Sequence, residues 1–138
     1  RGQLIQDISK IFNCFKPEEV FLPHPGDIHS DHKVTFDAAK SCTKWFRYPS
    51  IKKVLTYETL SETNFGFDQV DSRFQPNLYI DITDKIAKKI SLLSIYDSEI
   101  GNHPFPRSIV AIKALAALRG SQRGVDAAEA FQLLREHA

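Results

Sequence analysis

The chain has 138 residues, 42% hydrophobic and 25% charged, which fits one compact α/β domain over residues 1–138 and excludes a disordered or fibrous class. The 18 basic and 17 acidic side chains leave a formal charge of +1, so no basic face for nucleic acid is expected. No apolar run approaches the roughly 20 residues needed to span a bilayer, and the two cysteines, Cys14 and Cys42, read as small buried apolar residues, so the expectation is a cytoplasmic protein with no membrane partner.

Leu4, Ile5, Ile8, Ile11, Phe12 and Phe15 recur at helical spacing, which predicts an amphipathic helix over 3–14 that Pro17 ends. Val20-Phe21-Leu22 reads as a short buried strand. After the loop from Pro23 to Ser30, a second helix is expected from Ser30 or Asp31 to Phe46, with Val34, Ala38, Cys42, Trp45 and Phe46 facing inward. A strand over 53–58 follows, then a long loop over 59–77, where Ser, Asn, Gly, Gln and Pro show little periodicity. Residues 78–82 alternate like a strand. Thr83 or Asp81 is placed to cap a helix over 84–97, and a last helix runs from Ser108 to Arg119, where Gly120 is expected to stop it. The tail reads as an Ala-rich turn, Ala127-Ala128-Glu129-Ala130-Phe131, followed by Leu133-Leu134. Helices alternating with strands predict a mostly parallel, partial Rossmann-like sheet flanked by helices. Arg1-Gly2-Gln3-Leu4 resembles neither a signal peptide nor a natural start, and with no Met in the chain the expectation is a processed or truncated product whose amino-terminal part is missing.

His24, Asp27, His29, Asp31 and His32 lie within nine residues that leave the carboxyl end of a predicted strand and enter a helix. Open α/β folds bind their ligands there. With the helix starting near His29, the two histidines three residues apart share a face and address one centre. A catalytic zinc takes His and carboxylate ligands and keeps one position for water; Asp31 is a candidate to orient a ligating or catalytic imidazole. A solvated turn residue remains an equal reading for His24 alone. No Gly-rich phosphate loop follows any predicted strand, which disfavours a nucleotide-binding domain.

As text, Pro23-His24-Pro25-Gly26-Asp27-Ile28-His29-Ser30-Asp31-His32 resembles the second motif of the PIG-L/LmbE-like zinc N-deacetylases, where His-x-x-His or His-x-Asp-His follows a strand. Leu55-Thr56-Tyr57-Glu58, Phe74-Gln75-Pro76-Asn77, Tyr79-Ile80-Asp81-Ile82-Thr83, Lys89, Tyr96-Asp97-Ser98-Glu99, Arg119-Gly120 and Ala128-Glu129-Ala130-Phe131 are similar in order and spacing to the later two thirds of bacterial members. The resemblance implies that His32 ligates zinc, that His29 steadies the charged tetrahedral intermediate, and that Asp31 buttresses the pair. It implies a small-molecule amino-sugar substrate, whose acetamide is attacked by zinc-activated water to release acetate and an amine. The family's earlier His-Pro-Asp-Asp-Glu motif, source of its other zinc ligands and its general base, has no counterpart here, and Asp27 does not inherit the base role. That portion was cut away, lies on another chain that pairs with this one, or is absent from an inactive product; self-association through a truncated sheet edge is a further expectation.

Among the remaining residues, Arg119 is a candidate clamp for a substrate carboxylate or phosphate, or a basic residue favoured at a helix end. Glu58 and Glu129 are candidates to bind sugar hydroxyls, with a solvated or capping Glu as the alternative for each. The sequence thus carries two functions: a zinc-dependent N-deacetylase segment, and a degenerate module of the same fold that serves in assembly.

Overall fold

The computed structural model describes residues 2–67 and 71–138, which form two compact units: 1–76 with 131–138, and 77–130. The strands hydrogen-bond in the order β1-β2-β4-β3, where β1 is Glu19–Pro23, β2 Lys53–Tyr57, β3 Leu78–Asp81 and β4 Ala128–Glu136. β1 and β2 are parallel, with Val20 opposite Val54 and Pro23 opposite Tyr57; β2 and β4 are antiparallel, with a register shift between Val54 and Leu55. Among the described residues β1 has β2 as its one lateral neighbour, so its outer edge is open. The result is an α/β fold with helices against a sheet.

In the first unit, α1 (Gly2–Phe15) lays Ile5, Ile8 and Phe12 on a core built from Val20, Leu22, Phe36, Ala39, Cys42, Tyr48, Ile51 and Val54. Each such Val, Leu, Ile or Phe removed from water contributes roughly 1.5–3 kcal/mol. The helix ends where Lys16 turns to φ 53° and its N–H reaches the Phe12 carbonyl at 2.8 Å, with Pro17 beyond. Tyr48 fixes the helix from below, its hydroxyl 2.8 Å from Ser9 Oγ and its ring edge-on to Phe12.

Helix α2 (Ser30–Lys40) is shorter than its sequence pattern suggested. Residues 41–43 instead make tight i to i−3 turns, their carbonyl demands met by Thr43 Oγ1 on the Lys40 carbonyl and by the Arg135 guanidinium on the Thr43 carbonyl. Trp45 and Phe46 therefore lie past the helix and are exposed, not inward-facing, and Val34 also faces solvent; Phe36, Ala38 and Ala39 form the buried side. Cys42 is buried as expected, whereas Cys14 is exposed on the outer face of α1.

In the second unit, Asp81 accepts bonds from the Thr83 N–H (2.9 Å) and hydroxyl (2.7 Å), starting a 3-10 turn that leads into α3 (Ile86–Ser94). Those bonds, chiefly the backbone one, hold the Asp81 carboxyl below the usual range. α4 (Ile109–Arg123) is capped by Ser108, whose hydroxyl accepts from the Ala111 N–H at 3.1 Å. Gly120 does not stop this helix: the C-cap is Gly124, at φ 87°. The segment expected to be an Ala-rich turn opens strand β4, which pairs with β2 from Phe131 onward and has β3 as its other neighbour, so sheet pairing overrides the weak local preference of Ala and Glu. Among the described residues, no helix is long and apolar enough to cross a membrane.

Candidate functional site

The site lies in the first unit, where β1 hands over to α2. Pro23 ends the strand, and a turn closes with the Asp27 N–H on the His24 carbonyl at 3.2 Å. Gly26 is required by close approach: a Cβ there would run into the Ser72 carbonyl and the His24 ring. Gly66 likewise fits against the Gly26 carbonyl, and the Ile28 N–H reaches the Glu62 carbonyl at 3.2 Å. The long loop expected over 59–77 thus contains a 3-10 turn, Thr63–Phe65, that braces the site loop; its part at 68–70 lies outside the described residues.

His24 is buried and not a solvated turn residue. Its Nε2–H donates to the Ser72 carbonyl at 2.7 Å, its ring meets Phe74 edge-on at 5.3 Å, and its Nδ1 is buried without a hydrogen-bond partner among the described residues. It latches the following loop to the site.

His29 and His32 are brought together, their rings stacked with centroids 5.2 Å apart and planes 21° apart. His29 is the N-cap of α2, and its Nδ1 accepts the Asp31 N–H at 3.2 Å, which leaves the ring proton on Nε2. His32, on the first turn, has its Nδ1 2.6 Å from Asp27 Oδ2; the Asp27 side chain is fully buried, while that of His32 is 24% exposed. The carboxylate in contact with an imidazole is therefore Asp27, not Asp31, which is exposed and reaches His29 through its backbone. Asp27 Oδ1 and Thr56 Oγ1 are buried without hydrogen-bond partners among the described residues. Tyr57, at the carboxyl end of β2, has its phenol pushed above the ordinary 10 by burial and then by the Asp27 charge. The sequence placed Asp27 in the His cluster but gave the orienting role to Asp31; the contact between Asp27 and His32 is set by the fold of the turn.

Glu58 follows β2 in the same unit and is half-buried. Arg119 and Glu129 belong to the second unit. Arg119 lies within α4 and not at its end, bonded to Gln122 Oε1 at 3.0 Å, and Glu129 lies on β4 in an ion pair with Lys89 at 2.6 Å.

Among the described residues, no group of three or more His, Cys, Asp or Glu side chains is arranged to hold a metal ion. His32 fits as a single ligand, partly exposed and backed by a carboxylate, but the described residues do not supply a full coordination set. No protein-family model matches the chain. Solved structures do, two of them as follows. One is an N,N'-diacetylchitobiose deacetylase from Pyrococcus horikoshii, 20% identical with a TM-score of 0.72, for which the match covers 96% of this chain and 51% of the deacetylase. The other is a conserved protein from Thermus thermophilus, 20% identical with a TM-score of 0.75, with coverages of 99% and 60%. The chain thus has a deacetylase-like α/β fold and spans 51% and 60% of the lengths of these two proteins.

Proposed function

We propose that this chain carries part of the active site of a metal-dependent N-deacetylase that removes an acetyl group from an N-acetylated amino sugar or sugar conjugate. The observation that carries the reading is the stacked His29–His32 pair at the carboxyl end of β1, on a fold shared with a deacetylase. His32 is the zinc ligand that the chain contributes. A zinc ion held there supplies a Lewis acid for the acyl carbonyl and acidifies water. His29 presents its Nε2–H beside that position, where a fixed donor stabilises negative charge developing on the carbonyl oxygen. Asp31 supports His29 through the backbone bond that sets its tautomer. Glu58, Arg119 and Glu129 are proposed contacts for sugar hydroxyls or a substrate anion.

Further ligands come from polypeptide outside this set, either an amino-terminal portion or another chain paired along the open edge of β1. The cytoplasm is the proposed compartment. The shortage of metal donors among the described residues favours a second reading, a non-catalytic assembly module of the same fold. Metal analysis and acetate release separate the two. The full polypeptide that contains this sequence should hold about one zinc per chain and release acetate from a generic N-acetylglucosaminide. Absence of both overturns the enzyme reading and leaves the module.

A further inference from the structure

We infer that Asp27 is a positioning residue: its carboxylate holds the His32 ring proton on Nδ1 and so keeps Nε2 bare and free to accept a ligand. The consequence for metal rests on the function proposed above; the tautomer assignment does not.

The bond is short, 2.6 Å, and couples a fully buried carboxylate to a ring that reaches solvent. An ionised carboxylate only accepts, so the proton lies on His32 Nδ1. Among the described residues Nε2 has no hydrogen-bond partner. A carboxylate buried solely to tie down the turn would be expected to satisfy both oxygens, yet Oδ1 has no partner among the described residues, an arrangement that costs about 1–3 kcal/mol and calls for a compensating role. Both ends of the bond stand on fixed backbone. Asp27 closes the turn on His24 beside the glycine packed at Ser72, and His32 occupies the first turn of α2. The neighbouring ring is set the opposite way, since His29 Nδ1 accepts from the Asp31 N–H. The two stacked imidazoles therefore carry unlike groups at Nε2: a bare nitrogen on His32 and an N–H on His29. That pairing suits one ring to bind an electrophilic centre while the other donates to the oxygen bound there.

Long-range proton–nitrogen spectra of the full polypeptide that contains this sequence, labelled at histidine, test this directly. The expected result is His32 protonated on Nδ1 and His29 on Nε2. Asp27→Asn, whose amide oxygen still accepts, should keep the His32 tautomer while zinc affinity, read by titration at the same resonances, falls about 10–100-fold. Asp27→Ala should mix the tautomers and weaken zinc further, with circular dichroism reporting whether the fold is kept. A wild-type His32 proton on Nε2 overturns the inference, as does unchanged zinc affinity in a folded Asp27→Asn chain. If the wild-type full polypeptide takes up no zinc, the metal role fails with the proposed function, while the spectra still decide the tautomer.

Discussion

His29 holds two positions at once, cap of α2 and partner of His32, and a substitution there must separate them. Asn is among the best N-caps, so His29→Asn should keep stability near that of the parent, whereas His29→Ala should lose about 0.5–2 kcal/mol, read from denaturant midpoints. In the full polypeptide both changes should leave metal bound and slow acetate release, while His32→Ala should abolish metal retention; the reverse pattern would exchange their roles. Tyr57 gives a second readout. Its folded-state pKa is raised, so the neutral phenol's contribution is present below pH 10 and is lost as pH rises through the folded value. Asp27→Asn removes one of the two causes, so phenolate absorbance should appear at lower pH, still above the ordinary value because burial remains; no movement would mean that the Asp27 charge does not reach the phenol. The histidine pair was legible in the sequence because a three-residue spacing at a helix start fixes a shared face. The Asp27 contact was not. Asp31 sits next to His32 in the chain, but adjacent residues on a helix do not face one another, and only the fold of the 24–27 turn brings a carboxylate from five positions back.

At the level of elements, α4 and β4 show where sequence reading stopped short. Gly120 looked like a terminator, yet it lies inside α4 because residues 125–127 pass directly over it: a Cβ would stand 2.5 Å from the Val125 carbonyl oxygen and 2.9 Å from the Ala127 nitrogen. Two effects compete in Gly120→Ala, a gain in helix propensity of about 1 kcal/mol and a clash with backbone that cannot swing aside. The clash should win, lowering stability by more than about 1 kcal/mol; a stabilised variant would show that the loop yields. Gly124→Ala meets no atom within 4 Å, but its φ of 87° disfavours a side chain, so it should cost about 1–2 kcal/mol with α4 otherwise intact. Strand β4 was illegible for a related reason. Its Ala and Glu residues carry no β signature, and its identity comes from pairing across the sheet rather than from its own side chains.

Over the molecule as a whole, the two units differ in how much they bury. The first gathers eight buried residues into its main cluster, whereas the second has Ile82, Ala116 and Ala127 with Ile86 beside them, and α3 contains no buried residue. Native-state hydrogen exchange should find the slowest amides in β2, where Val54, Leu55 and Thr56 are buried, and the fastest helical ones in α3. Equal protection in the two would mean that they open together. The open side of β1 has a consequence for how the protein behaves at high concentration. Its rim of unspent peptide groups is short, begins at a charged Glu19 and ends at Pro23, which has no amide hydrogen to offer. Such a rim accepts a single visiting strand and then runs out, so association through it should stop at a closed pair instead of growing into fibres.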